Sequence, residues 1–223
     1  MPFINRSEAG VRLAQMLTTY KDQQSVVLAL PRGGVPVAAE VARALNAPLD
    51  LILVRKIGVP YQPELAMGAV VDGDQPIIVR NEDVIRLSGV SEADFQSVCD
   101  QELAEIERRR QHYLGSRKRA EVADHTAIII DDGIATGATI RAALRATRMR
   151  NPKALVLAVP VAPTQTLEEL RREADDIVCV EHYWRFPAIG LYYSDFRQTT
   201  DEEVIEMLGR FPVDGPESRQ PAT

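Results

Sequence analysis

The chain has 223 residues, 26 basic against 32 acidic side chains and a net charge of −6 at pH 7, a balance that argues against a dedicated nucleic-acid binder, whose affinity comes from displacing counterions. Its hydrophobic share of 45% and charged share of 26% are those of an ordinary globular protein, long enough to bury a core without metal or disulfide staples. Cys99 and Cys179 stand far apart, and His112, His125 and His182 show no ligand spacing, which speaks against a disulfide frame or a zinc site.

The opening MPFINRSEAG lacks the apolar core of a signal peptide. A first helix is predicted over Ser7–Tyr20, capped by Ser7, with Leu13, Met16, Leu17 and Tyr20 on one apolar face. SVVLAL, Ser25–Leu30, reads as a buried strand that runs into the turn PRGG, Pro31–Gly34; a helix over Val35–Leu45 and a strand over Leu49–Arg55 follow. Strand, glycine turn, helix and strand make a βαβ unit, whose strands are parallel and joined by a right-handed crossover. Lys56–Glu64, with two prolines and a glycine, reads as a loop. LAMGAVV and PIIVRN flank Asp72-Gly73 as a hairpin.

A long helix is predicted over Ser91–Leu114, with Ser91 and Asp94 resembling a capping box, Phe95, Cys99, Ile106 and Tyr113 as the buried stripe, and Glu105 paired to Arg109. The strand Thr126–Ile130 ends in DDGIATGAT, and a helix over Ala138–Met149 leads to the strand Ala154–Ala162. A helix over Thr166–Glu173, a strand over Asp176–Tyr183 and a last helix over Thr200–Leu208, capped by Thr200 or Asp201, complete the pattern. Residues 212–223 are rich in proline and polar groups and read as a disordered tail. No apolar run approaches the roughly 18 residues of a membrane span, so a cytoplasmic protein with no membrane or nucleic-acid partner is expected. The alternation predicts an open, mainly parallel α/β sheet covered on both faces, with a hairpin and a small hood. It is expected to form one unit over residues 1–211, with its core at about 25–162 and its hood from about 176–211 and the N-terminal helix.

In such sheets ligands bind beyond the carboxyl ends of the strands. Three strands here end in unusual residues on one edge: PRGG, then Arg55-Lys56, then DDGIATGAT. The last carries two adjacent acids, Asp131 and Asp132, then a glycine loop and a helix start whose N–H groups favour an anion. Acids beside an anion cradle are reconciled by a ligand bearing both a phosphate and a diol or metal, as a ribose 5-phosphate does. The plain alternative is a turn and helix cap with solvated acids. Phe186, loop-borne beside Pro187, is a candidate to stack on a flat heterocycle, although such aromatics also pack hoods together. Glu64 is a candidate to orient an acceptor, or a solvated loop acid.

IIIDDGIATGAT closely resembles the ribose-phosphate signature of type I phosphoribosyltransferases, LPRGG their pyrophosphate loop, and VRKIGVP the segment ending their second strand. Order and approximate spacing agree over Ser25–Ala162, and FINRSEAG and YSDFRQTTDEEV extend the likeness to a group of such transferases whose acceptor is undefined. The resemblance implies that Asp131 and Asp132 contact the ribose hydroxyls, in part through Mg²⁺. It gives the 5-phosphate to Ala135, Thr136, Gly137, Ala138 and Thr139. Arg32, Gly33 and Gly34 would bind pyrophosphate, with Lys56 and Arg55 helping. It further implies a non-proline cis peptide at Pro31–Arg32 or Arg32–Gly33, a homodimer, and transfer from phosphoribosyl diphosphate to a nucleobase-like, purine-favoured acceptor. One departure is the lack of any Lys or Arg between Ile57 and Val79, where many relatives bring a basic loop residue. This keeps open a non-catalytic regulator that binds phosphoribosyl diphosphate or a nucleotide.

Overall fold

Short apolar runs rich in Val, Ile and Leu alternate with helices along the chain. In the computed structural model, which describes residues 2–21, 23–73, 76–211 and 213, they become α1 (Arg6–Met16), β1 (Ser25–Ala29), α2 (Gly34–Leu45), β2 (Leu49–Leu51), β3 (Val54–Val59), β4 (Gln62–Val71) and β5 (Ile77–Arg80). There follow α3 (Glu82–Ser88), α4 (Glu92–Leu114), β6 (Thr126–Ile130), α5 (Ala138–Arg148), β7 (Ala154–Pro163), α6 (Thr164–Leu170), β8 (Asp176–Tyr183) and α7 (Asp201–Gly209).

Five strands form a parallel sheet in the order β2-β1-β6-β7-β8. Alternate side chains divide its two faces. Val27, Ala29, Ile128, Ile130, Val156 and Ala158 share one core with Leu13 of α1, Val35 and Val41 of α2 and Val204 of α7. Val26, Leu28, Ala127, Ile129, Leu155 and Leu157 meet Ile140 and Leu144 of α5 and Leu167 and Leu170 of α6. Being buried on both sides, β1, β6 and β7 are almost continuously apolar. No helix among the described residues is long and apolar enough to cross a membrane.

Several sequence expectations need correction. The predicted strand over 49–55 is two strands in two sheets. Ile52 still donates to Ala29 O, but Leu53 donates to the buried carboxylate of Asp72, and Val54 starts a separate antiparallel sheet, β3-β4-β5. The predicted loop over 56–64 belongs to this sheet: Val59 pairs with Gln62 around Pro60-Tyr61, and register shifts on either side of Gly58 accommodate Pro63. The expected hairpin about Asp72-Gly73 is present as β4 and β5. Asn5, not Ser7, caps α1 by accepting from Glu8 N, and Met16 of the expected apolar face is exposed. The short helix α3 was not anticipated. Ser91 caps α4 as expected, and Phe95, Cys99 and Ile106 bury against Ile57, Met67 and Val70. The expected disordered tail lies outside the described residues except for residue 213.

Candidate active site

The chain winds one way from β1 through α2 to β2 and the other way from β6 through α5 and α6. The direction reverses between β1 and β6, and at such a switch point the carboxyl ends of the two strands open a crevice. After β1, Leu30 still donates to Ile130 O (2.9 Å), the Pro31–Arg32 peptide is cis, and Gly34 N–H returns to Leu30 O (3.0 Å) to begin α2. Both glycines are required by close approach. A Cβ on Gly34 would stand 2.7 Å from Ile130 O, and one on Gly33 would collide with the Asp132 carboxylate. The turn after β1 is therefore packed directly on the acids after β6.

Ile134 N–H anchors the β6–α5 loop to Val161 O (3.0 Å), and the Thr166 hydroxyl donates to Ala135 O (3.2 Å). Gly137 precedes α5 at φ 75°, in the left-handed region, and provides no side-chain cap. Among the described residues, the N–H groups of Ala135, Thr136, Gly137, Ala138 and Thr139 have no hydrogen-bond acceptor. They lie at the positive end of an eleven-residue helix, an arrangement suited to an anion.

Asp131 is half-buried, and its Oδ1 accepts from Asp132 N (2.8 Å). Burial, and then the neighbouring charge of Asp132, push its carboxyl well above the usual range. Asp132 is buried, and its Oδ2 accepts from Arg6 Nε at 2.7 Å. Burial pushes Asp132 up as well, against the opposing pull of Arg6. The Tyr193 hydroxyl donates to Asp132 O (2.5 Å).

Successive residues of β3 take different partners. Arg55 Nε donates to Glu102 of α4 (2.6 Å), and Lys56 Nζ to Glu64 Oε2 (3.1 Å) across the hairpin. Lys56, Ala138 and Thr139 share a cavity of about 470 Å³ between the antiparallel sheet and α5. Arg55, Pro31, Arg109 and Thr139 share a smaller one of about 30 Å³. Thr139 thus borders both, beside Lys56 in one and Pro31 and Arg55 in the other. Arg32 is directed to Asp201 of α7 (3.4 Å). Asp201 also accepts from the Tyr113 hydroxyl (2.6 Å); burial, followed by this bond, pushes Tyr113 up to about 12.

The structure therefore brings together Gly33, Gly34, Asp131, Asp132 and the 135–139 loop, and places Arg55 and Lys56 beside them. Arg32 leans away toward α7. Glu64 is 95% exposed and serves as the partner of Lys56. Phe186 stacks on Tyr192 (4.8 Å, 16°), which also stacks on Tyr183, and it lines neither cavity. Sequence reasoning missed Arg6, Arg109, Tyr193 and Asp201 as site residues. Arg109 was visible only as the helical partner of Glu105, and Arg6 stands 126 positions from Asp132, with no local signal.

Residues 8–194 match the model of the phosphoribosyl transferase domain. A Mycobacterium tuberculosis protein (strain ATCC 25618 / H37Rv) named "Putative phosphoribosyl transferase Rv0571c" is 44% identical over 208 residues, which are 93% of this chain and 46% of that protein. MT0597 of strain CDC 1551 / Oshkosh, named likewise, gives the same figures, so the chain spans about half the length of the curated relatives it matches. The crystal structure of TT1426 from Thermus thermophilus superposes with a TM-score of 0.84 at 37% identity, covering 95% of this chain and 100% of that one.

Proposed function

The chain belongs to the phosphoribosyl transferase domain family, and on that premise we propose that it is a pentosyltransferase that moves the ribose 5-phosphate of phosphoribosyl diphosphate to a nitrogenous base, purine-like by preference, and releases pyrophosphate. The observation that carries this reading is the run of five unengaged N–H groups, Ala135 to Thr139, next to Asp131 at the sheet's switch point. A dianionic 5-phosphate suits the N–H groups, and ribose hydroxyls suit the acid.

Departure of pyrophosphate concentrates negative charge while the sugar becomes oxocarbenium-like. Lys56 and Arg55 neutralise that charge from the start of β3, and Arg32 joins them by exchanging Asp201 for the leaving group, with Gly33 and Gly34 giving it close backbone approach. This is electrostatic stabilisation and needs no protein nucleophile. Among the described residues no three His, Cys, Asp or Glu side chains cluster as a metal cage. Magnesium fits nonetheless, because it binds through one or two carboxylates while keeping waters and substrate phosphates. Asp131, backed by Asp132, would hold it, and when bound it supplies further positive charge to the diphosphate. Glu64 is available to orient the acceptor once Lys56 turns to the ligand, and Phe186 remains a peripheral candidate for stacking. We extend the proposal to a cytoplasmic homodimer on the family likeness.

The test is incubation with phosphoribosyl diphosphate, Mg²⁺ and a panel of purine and pyrimidine bases, followed by quantifying pyrophosphate and free base. Base-dependent pyrophosphate release with matching base consumption is expected. Release without base consumption would indicate hydrolysis, and tight binding without turnover for any base would replace the enzyme by a regulator.

A further inference from the structure

FINRSEAG and SDFRQTT, at opposite ends of the chain, have no part in the mechanism above, yet they meet at Asp132. Asn5 caps α1, which makes Arg6 its first residue. Arg6 Nε donates to Asp132 Oδ2 (2.7 Å), Nη1 donates to Arg197 O (2.7 Å), and the guanidinium lies 3.9 Å over the Phe196 ring. The Arg6 and Asp132 side chains are each only 11% exposed. Gly33 also closes on the Asp132 carboxylate, and its missing Cβ leaves the room that Oδ2 occupies. α1 is itself seated on α2, the helix that starts from this turn, with Gly10 so close that a Cβ would stand 2.6 Å from Val37 O.

We propose that Arg6 is a positioning residue: through Asp132 it holds the pyrophosphate-binding turn, residues 31–34, against the end of β6, and this leaves Asp131 as the acid that contacts the ribose. Asp132 is enclosed by a guanidinium, a glycine backbone and the Tyr193 contact at its carbonyl, whereas Asp131 is half-buried and its Oδ1 takes a single N–H from its neighbour. Arginine suits the position because a planar fork can serve a carboxylate and a carbonyl while its face rests on an aromatic ring; a lysine ammonium is a point charge. The ligand part of this inference rests on the proposed function, and the placement of the turn does not.

The experiment uses the full chain, the single variants Arg6→Gln and Asp132→Asn, and the double variant. Each single change leaves a buried charge unpaired or replaces it, so thermal stability alone does not discriminate; the double variant removes both charges and restores neutrality. Calorimetric titration with pyrophosphate, phosphoribosyl diphosphate and ribose 5-phosphate, each with Mg²⁺, supplies the readout. The double variant is expected to bind the two diphosphates about 10- to 100-fold more weakly, the usual scale for losing a supporting contact, while its ribose 5-phosphate affinity stays near the parent's. Asp131→Asn is expected to weaken ribose 5-phosphate. Weaker binding of ribose 5-phosphate and phosphoribosyl diphosphate by Asp132→Asn, with pyrophosphate binding unchanged, would make Asp132 a direct ribose contact and overturn the inference, as would parent-like pyrophosphate binding by the double variant. Hydrogen exchange at the Gly33 and Gly34 amides is the ligand-free arm, with faster exchange expected in the double variant. If the parent bound none of the three ligands, the transferase reading would fall, and unchanged exchange at the turn would then dispose of the positioning role by itself.

Discussion

Four cations around the candidate site have exposed or half-buried acidic partners in their own chain: Arg32 has Asp201, Arg55 has Glu102, Lys56 has Glu64 and Arg109 has Glu105. These side chains are about one third exposed or more on the basic side, so the pairs are weak and exchange readily. On the proposed function, a diphosphate would replace carboxylates rather than meet bare charges. Asp131 has no ion-pair partner among the described residues. Lys56→Ala is expected to lower kcat/KM for phosphoribosyl diphosphate by about 100- to 1000-fold, the scale of one transition-state contact; steady-state kinetics check this, and an unchanged value would remove Lys56 from the mechanism. Glu105 is a second test at this scale. Hydrogen bonds from Arg108 and then Arg109 lower its carboxyl from 4.5 to about 2. A depressed carboxyl supports the fold fully above its unfolded value and loses that support as pH falls toward 2. A carboxyl NMR titration should find the midpoint near 2, and one near 4.5 would mean that the arginine clasp on α4 is open in solution.

At the scale of elements, the β6–α5 loop depends on Gly137. Its φ of 75° disfavours any side chain, and a Cβ would stand 2.8 Å from Thr166 Cγ2. Gly137→Ala is expected to cost about 1–2 kcal/mol from the left-handed backbone alone, read as a lower denaturation midpoint, and to weaken ribose 5-phosphate binding in parallel. Retained stability and binding would show that the loop tolerates another backbone. This loop was legible from sequence because strand, acids, glycines and helix start are contiguous. The β3–β4 hairpin was not: Pro60 and Pro63 signal a break locally, and the pairing that overrides them depends on a bulge at Gly58 and on packing against α4. The seven-residue α3 is too short to show a period.

Across the whole molecule, the parallel sheet could be read because strand and helix alternate, β1 and β6 each running into a glycine-bearing turn and a helix and β7 directly into α6. Its division from the antiparallel sheet could not, because the chain changes sheets at Ile52–Leu53 inside one continuous apolar run, and the carboxylate that receives Leu53 N–H is nineteen positions away at Asp72. The wrapping of the terminal segments was equally hidden: Arg6 reaches Asp132 across 126 positions and Arg32 reaches Asp201 across 169. Local pattern thus located the loops proposed to carry the ligand, and the long-range ion pairs beside them emerged only in three dimensions. Amide chemical-shift mapping on the full chain with ribose 5-phosphate addresses the central assignment most directly. The largest shifts are predicted at Ala135 to Thr139 with a smaller response at Asp131; undisturbed amides there, with shifts confined to another face of the protein, would contradict it.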